Sequence, residues 1–254
     1  MSLYEITFSP TGGVQKVADV LAKALGQARI SVDLTDRALE FDAFCLTASD
    51  VALVAVPSYG GRVPAIALSR LRQMRGGQAK AVLIAVYGNR AFEDTLLELC
   101  DTLTCAGFCC VAAVAAVAEH SIMRQFAAGR PDAADERVLT DYAEKIRQRL
   151  EAAPPAKALV LPGTAPYRPY GGVPMKPKAG SACVKCGRCA AQCPVDAISA
   201  ENPLETDGAK CISCMRCVAQ CPHHARSVSK LVLMAAAQKM KKACEGRKEN
   251  ELFL

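Results

Sequence analysis

The sequence predicts an α/β protein in which a doubly wound parallel sheet of five strands is followed by a small cysteine-rich α+β domain. Three observations support this prediction. Apolar, β-rich runs alternate with helical periodicity over the first 150 residues, prolines and glycines concentrate in the next 30, and eight of the 14 cysteines lie between Cys183 and Cys221. A chain of 254 residues with 51% apolar side chains is long enough for two well-packed domains.

The strands and helices of the first domain, residues 1–152, follow from hydrophobic periodicity. Runs that are apolar at nearly every residue predict strands buried on both faces, as in a parallel sheet covered by helices. These predicted strands are Leu3–Phe8, Ile30–Leu34, Val51–Val56, Ala81–Val86 and Cys109–Val117. Apolar side chains spaced three or four residues apart predict the helices Val14–Leu25, Ala65–Met74, Ala91–Cys105 and Asp132–Leu150.

Residues 153–180 are predicted to form a stiff, extended linker, because they contain seven prolines and a Gly-Gly pair. We expect the linker to run along the surface of one domain and to limit the movement of the small domain, residues 181–227. Residues 228–254 are predicted to form a C-terminal helix and tail. The helix, over residues 229–247, is expected to pack against the small domain.

Compartment and membrane association are predicted from the apolar segments. The N-terminus lacks the basic and apolar regions of a secretory signal. The longest apolar run, Val111–Ala118, is much shorter than the roughly 20 residues that cross a bilayer. We therefore expect a cytoplasmic protein in a reducing environment, with no membrane partner and no disulfides.

The cysteine-rich segment contains the motif C-x2-C-x2-C-x3-C-P twice, ending at Pro194 and Pro222. Three cysteines at this spacing can surround one [4Fe–4S] cubane, while the fourth, before proline, ligates the other cluster. This rule assigns Cys183, Cys186, Cys189 and Cys221 to one cluster, and Cys211, Cys214, Cys217 and Cys193 to the other. Zinc sites use two cysteine pairs rather than triplets. Over about 45 residues, the segment closely resembles the bacterial-type two-cluster ferredoxins.

The formal net charge of +6 is unevenly distributed. Residues 1–156 contain 16 Lys and Arg against 18 Asp and Glu, whereas residues 157–254 contain 15 against 7. Two oxidised clusters with their thiolates would cancel about four of these positive charges. We interpret the excess mainly as compensation for the clusters, with a docking face for an acidic redox protein as the alternative. No DNA-binding motif is visible, so we expect no nucleic-acid partner; the sequence does not predict the oligomeric state.

A candidate anion site lies between the first strand and the first helix, in the loop from Phe8 to Val14. Hydroxyl groups, backbone N–H groups and the positive end of a helix dipole meet there, which favours phosphate. The loop is neither a Walker loop nor a G-x-G-x-x-G dinucleotide loop. A plain turn with a helix cap is the alternative interpretation.

Two further loops, after the third and fourth strands, contain tyrosine next to glycine. All three loops follow strands at the edge where open α/β sheets bind ligands. In this respect residues 2–150 resemble the flavodoxin family, which binds FMN with three loops in this order. The resemblance implies a phosphate site of Ser9, Thr11, Gly12, Gly13 and Val14, although flavodoxins usually have a hydroxyl residue where Val14 stands. It implies that the isoalloxazine ring lies between Pro57, Ser58, Tyr59, Gly60 and Gly61 on one side and Tyr87, Gly88, Asn89 and Phe92 on the other.

The whole arrangement resembles the bacterial family of fused flavodoxin–ferredoxin proteins. This resemblance implies an electron carrier in which two [4Fe–4S] clusters exchange low-potential electrons with an FMN. The alternative is an FMN-dependent reductase of a small molecule, in which Arg62, Arg90 and Arg124 would bind an anionic substrate. His120 would then be a structural residue or, with a pKa near neutrality, a proton donor to the flavin.

The remaining side chains of interest are six cysteines and two histidines. Without ligand spacing, the cysteines are predicted to be small core residues: Cys45, Cys100, Cys105, Cys109, Cys110 and Cys244. His223 and His224 are predicted to be surface residues.

Overall fold

The computed structural model describes residues 2–26, 28–152 and 159–254. The strands of the larger domain are β1 (Leu3–Thr7), β2 (Arg29–Asp33), β3 (Val51–Pro57), β4 (Lys80–Tyr87) and β5 (Cys109–Val117). Its helices are α1 (Gly13–Leu25), α2 (Ala65–Leu71), α3 (Thr95–Cys105) and α4 (Ala133–Glu151). The strands are parallel in the order β2-β1-β3-β4-β5. This is the flavodoxin-like strand order, and the predicted fold class is confirmed.

The helices cover both faces of the sheet and create two apolar layers. One layer packs α1 and α4 against the sheet, and the other packs α2 and α3 against the opposite face. Strands β3 and β4 are central and buried throughout, apart from Lys80. By contrast β2 is an edge strand, and three of its five residues are exposed. The carboxyl ends of β1, β3 and β4 therefore meet at one edge of a rigid, fully packed sheet.

Helix α3 starts at Thr95 rather than at the predicted Ala91. The backbone before it turns through Glu93, whose φ of 44° is incompatible with a right-handed helix. The next residue, Asp94, accepts hydrogen bonds from the N–H groups of Thr164 and Arg168 at 3.0 and 2.8 Å. The residue just before α3 therefore holds the segment that leads to the small domain.

The small domain is built from two copies of one unit, offset by 28 residues. Its elements are β6 (Lys178–Ala179), α5 (Arg188–Ala191), α6 (Arg216–Ala219) and β7 (Arg226–Ser227), with β6 and β7 antiparallel. The residue before each helix is left-handed, Gly187 at φ 74° and Met215 at φ 63°. Its apolar core cluster is small and contains Met175, Met215 and Val228, and the other buried apolar side chains of the domain are mostly alanines, apart from Ile198 and the cysteines. Such a core is too small to stabilise a domain without internal cross-links or cofactors.

The C-terminal segment returns to the larger domain. Helix α7 (Lys230–Met240) is shorter than predicted and contacts the small core through Leu233 and Ala236. A 3-10 turn follows, and strand β8 (Glu251–Phe253) then pairs antiparallel with β5. The sheet thus has six strands rather than the predicted five. This sixth strand covers an apolar edge that would otherwise be exposed.

Three arginine side chains, two from the larger domain and one from the small domain, join the two domains. Arg70, which is buried, donates to the carbonyl of Pro194 at 2.9 Å. Arg37 pairs with Asp196 and donates to the carbonyl of Ala190. In the reverse direction, Arg216 donates to the carbonyl of Ser9 at 3.4 Å and lies 3.6 Å from Asp33. The small domain is therefore held against the carboxyl edge of the sheet.

The predictions for the isolated cysteines and for membrane segments have mixed outcomes. Cys244 is buried as predicted, whereas Cys100, Cys109 and Cys110 are only half-buried. Cys45 and Cys105 are exposed, because they lie in a loop and at the end of α3. No helix within the described ranges has the length and apolar character needed to span a bilayer. Part of the predicted linker, residues 153–158, lies outside the described residues.

We predict that Asn250→Ala destabilises the protein by about 2–3 kcal/mol, because the substitution leaves buried polar groups without partners. Asn250 Oδ1 accepts from the N–H of Val117 at 2.9 Å, and its Nδ2 donates to Asp135 at 3.1 Å. The measurement is the midpoint of guanidinium unfolding, followed by circular dichroism. Glu249→Ala, at an exposed neighbour, is the control; equal midpoints for both variants would contradict the role of Asn250.

Candidate cofactor sites

A cavity of about 320 Å³ lies at the carboxyl edge of the sheet. This volume is within the range of small-molecule sites. The large domain contributes the loops after β1, β3, β4 and β5, whereas the linker and the small domain close the opposite side. Of the predicted flavin residues, the lining includes Thr11, Gly13, Val14, Pro57, Ser58, Tyr59, Gly60, Tyr87 and Gly88.

One end of the cavity is formed by the start of α1. Gly12, with a φ of 91°, has the left-handed conformation that favours glycine and is the N-cap of the helix without a side-chain hydrogen bond. The first N–H groups of a helix have no partners within it and attract anions. The hydroxyl group of Ser9 already has a partner within the loop, because its Oγ accepts a hydrogen bond from the N–H of Gln15 at 2.9 Å. Thr11, which is exposed, is the hydroxyl group at this end of the cavity.

Tyr59 and Tyr170 form the wall nearest the small domain. A Cβ on Gly60 would lie 2.4 Å from the ring of Tyr170, so only glycine permits this packing. Burial raises the pKa of Tyr59 well above its usual value, and the nearby Cys214, Tyr170 and Cys211 add to the effect. Tyr170 comes from the proline-rich linker, and the sequence analysis did not include it in the site.

Five residues predicted from the flavodoxin resemblance do not line the cavity: Ser9, Gly12, Gly61, Asn89 and Phe92. Phe92 is buried in the core and packs against Tyr87 and Phe253, with ring centroids 5.4 and 6.5 Å apart. Asn89 is also buried, and its Nδ2 donates to the carbonyls of Cys244 and Gly246. Both side chains are therefore used to attach the C-terminal segment, which the sequence pattern did not reveal. Gly61, although next to Gly60, packs against Glu93 instead.

His120 lines the cavity beside Gly88 and is neutral. Its Nδ1 accepts the N–H groups of Ile122 and Met123, each at 3.2 Å. Burial and, to a smaller extent, the positive charge of Arg90 together lower its pKa to about 4. The alternative of a proton donor with a pKa near neutrality is therefore wrong. The ring instead offers a fixed Nε2–H donor.

The three arginines considered as an anion-binding ring each pair with a carboxylate. Arg62 donates two hydrogen bonds to Glu98, and Arg90 pairs with Glu93. Arg124, 79% exposed, pairs with Glu119. Of the three, only Arg90 lines the cavity.

The cysteines of the small domain enclose two further cavities, with four sulfurs in each. One contains Cys183, Cys186, Cys189 and Cys221. The other contains Cys193, Cys211, Cys214 and Cys217. The exchange of the fourth cysteine between the two motifs is thus present in the geometry. Among the described side chains, no three Cys, His, Asp or Glu residues converge as they would on a single ion. Four sulfurs bound to one zinc ion at about 2.3 Å would lie close together. In both cysteine cavities the sulfurs instead surround open space.

Hydrogen-bond donors accompany both cysteine cavities. The N–H groups of Ala197 and Ala225 each lie 3.3 Å from a sulfur, of Cys193 and Cys221 respectively. Arg216 lines the second cavity and Arg226 the first. The Nε–H of each is buried without a partner among the described atoms. These unpaired donors fit cofactors that carry negative charge and sulfur acceptors, as [4Fe–4S] clusters do.

The second cysteine cavity and the large cavity share a wall. Ile212, between Cys211 and Cys214, lines both. Its neighbour Ser213 also lines the large cavity and donates through Oγ to the carbonyl of Val173 at 3.2 Å. A ligand in the large cavity would therefore be separated from the second cysteine set by the thickness of one side chain.

We predict that stability falls as the pH decreases from about 6.5 to 4, because His120 binds a proton in the unfolded chain before it does so in the folded one. The stabilisation from neutral His120 is complete above the unfolded pKa and is lost toward the folded pKa of about 4. The measurement is the unfolding free energy at several pH values. His120→Gln should reduce the slope, whereas His224→Gln, at an exposed site, should leave it unchanged; equal slopes in all three proteins would contradict the assignment.

Comparisons with known proteins gave matches for one segment of the sequence and for the fold. Residues 182–226 match the family described as the 4Fe-4S dicluster domain. Among solved structures, the chain is similar to a flavodoxin of Streptococcus pneumonia TIGR4, with 16% identity, a TM-score of 0.44 and coverage of 59% of this chain and 99% of that one. It is also similar to an apo NADH:FMN oxidoreductase, with 17% identity, a TM-score of 0.46 and coverage of 60% and 91%.

A third similar structure is the rubredoxin oxygen:oxidoreductase of Desulfovibrio gigas, with 18% identity and a TM-score of 0.44. That match covers 59% of this chain and 36% of the other. A search among curated protein sequences gave no match. Strand order and cysteine geometry define the architecture independently of these structural similarities. In one polypeptide, the chain joins a flavodoxin-like fold to a segment that matches the 4Fe-4S dicluster domain family, an arrangement consistent with a fused flavodoxin–ferredoxin protein.

Proposed function

We propose that this protein carries electrons between a redox protein and an FMN through two [4Fe–4S] clusters. The observation that supports this function best is the wall shared by the large cavity and the second cysteine set, at Ile212. When bound, the clusters supply one-electron exchange, and the flavin supplies one- or two-electron exchange. The chain's own residues would position these cofactors and exclude water from the space between them.

In this proposal the start of α1 holds the FMN phosphate. Gly12, Gly13 and Val14 offer backbone N–H groups, and Thr11 offers a hydroxyl. Tyr59 and Tyr170 contact the ring system from the side of the small domain, while Gly88 allows close approach from the other. The Nε2–H of His120 can donate a hydrogen bond to an acceptor in the cavity.

The second cysteine set serves the cofactor nearer to the flavin. Cys214 is buried, and burial raises the pKa of its thiol to about 12, so iron must displace the proton on binding. Arg216 contacts the loop of Ser9 from the small domain. The electron path is therefore part of a fixed interface and needs no swinging of the small domain.

The first cysteine set is where we propose that the redox partner docks. Cys186 is exposed, and the adjacent Val184 is 61% exposed. Lys185 and Arg188, both exposed, add positive charge around this apolar surface. An acidic redox protein is complementary to it, and salt would slow such an association.

An FMN-dependent reductase of a small anionic substrate is less well supported. The arginines that would bind such a substrate are paired with Glu98, Glu93 and Glu119. Steady-state assays with reduced viologen as donor would separate the two functions. Turnover of a small-molecule acceptor at a rate that saturates with its concentration would favour the reductase.

Cofactor content is the primary test. Anaerobically purified protein should contain about eight irons, eight sulfides and one FMN per chain. Cys214→Ser should lose roughly half of the iron, whereas Cys45→Ser, at an exposed cysteine outside the motifs, should retain all of it. Zinc in place of iron, or no flavin after incubation with FMN, would refute the proposal.

We also predict that Thr11→Ala weakens FMN binding by roughly one to two orders of magnitude, because a hydrogen bond to a charged group contributes about 1.5–3 kcal/mol. The dissociation constant is measured by quenching of flavin fluorescence. Thr140→Ala removes an exposed hydroxyl on α4, far from the cavity, and should bind like the original protein. Unchanged affinity in Thr11→Ala would place the phosphate elsewhere.

A further inference from the structure

Arg226 is a buried cation without a carboxylate partner. Its relative exposure is 2%, and none of the ion pairs among the described residues includes it. One guanidinium nitrogen donates to the carbonyl of Pro203 at 2.6 Å, and the other donates to Pro177 at 3.3 Å and to the hydroxyl of Thr206. These neutral acceptors satisfy hydrogen bonds but do not balance the charge. A buried charge normally requires a counter-charge, because its desolvation is costly.

The guanidinium group lies against the walls of both cysteine cavities. Its Nη1 lies 3.6 Å from the sulfur of Cys189, which belongs to the first set. Its Nη2 donates to Pro177 and Thr206, which line the cavity of the second set. The positive charge of Arg226 also helps to lower the pKa of the Cys221 thiol, which belongs to the first set. Arg226 thus lies between the two cavities, and its Nε–H is still unpaired among the described atoms.

The internal repeat shows that the cation is not required by the fold. The offset of 28 residues relates Arg226 to Ile198, which is equally buried and lines the second cavity. The same backbone position therefore accommodates an apolar side chain in one unit and a cation in the other. If this position only had to pack against a cluster, isoleucine would be suitable in both units.

We infer that Arg226 is an internal counter-cation shared by the two clusters and that it raises their reduction potentials. A positive charge stabilises the reduced form of a cluster more than the oxidised form, because reduction adds one negative charge. Little water is available to screen this charge at a site that is almost fully buried. The first cluster, whose cavity Arg226 lines, should respond at least as strongly as the second. The inference rests on the two-cluster content proposed above.

The test compares cluster potentials in four proteins by EPR-monitored redox titration. Arg226→Gln retains hydrogen bonding without charge, and Arg226→Lys retains charge without the planar fork. Arg188→Gln removes an exposed charge next to Cys189 and is the control for a screened cation. In Arg226→Gln the reduction equilibrium should become about tenfold less favourable, which is 59 mV for a one-electron couple. Arg226→Lys should remain close to the original protein.

The outcomes separate this inference from the proposed function. Iron content of the original protein tests the cluster pair, whereas the potentials test Arg226. A shift in Arg226→Gln no larger than that in Arg188→Gln would overturn the inference. Loss of the clusters in both Arg226→Gln and Arg226→Lys would also overturn it, because the residue would then serve to clamp the carbonyls of Pro203 and Pro177. Loss only in the Gln variant would support the role of the charge.

Discussion

The packing of the loop from Cys211 to Cys217 against the carboxyl edge of the sheet is the constraint on which the rest of the structure depends. The loops after β1, β3, β4 and β5 line one side of the large cavity, and the linker together with Ile212 and Ser213 of this loop closes the opposite side. Without that contact the cavity would be an open groove, and the second cysteine set would face solvent. Arg216 of this loop contacts Ser9, and the contacts of Arg70 and Arg37 hold the neighbouring part of the small domain against the larger domain.

Arginine is well suited to this interface for a physical reason. Guanidinium groups present several donors in a rigid plane and are more weakly hydrated than ammonium groups. They can therefore satisfy loop carbonyls, such as those of Ser9, Pro194 and Ala190, at a contact between domains. Each such contact fixes backbone rather than side chain. The loops that carry cofactor-binding residues are thereby held without occupying the side chains needed for binding.

Charge also explains why the small domain has so few apolar core residues. Its apolar core cluster contains Met175, Met215 and Val228, and most of the other buried apolar residues that the structure describes in this domain are alanines and cysteines. Buried cations and N–H groups directed at sulfur take up the remaining interior, in particular Arg226 and the N–H groups of Ala197 and Ala225. Such an interior is unfavourable around free thiols and favourable around anionic clusters. Folding and cofactor binding of this domain are thus expected to be linked.

Sequence alone determined the elements whose signals are local. The strands β1 to β5, their parallel arrangement and the doubled cysteine motif follow from periodicity and spacing along the chain, whereas the order of the strands was not predicted. Tertiary structure alone decided which side chains line the cavity. Phe92 and Asn89 do not line the cavity because their side chains contact the C-terminal segment instead. Tyr170 does line it, although it belongs to a linker without hydrophobic periodicity. Likewise, the neutrality of His120 and the place of Arg226 between the cysteine sets depend on burial by distant segments. Contacts between residues so far apart in the chain leave no pattern that a single sequence can reveal.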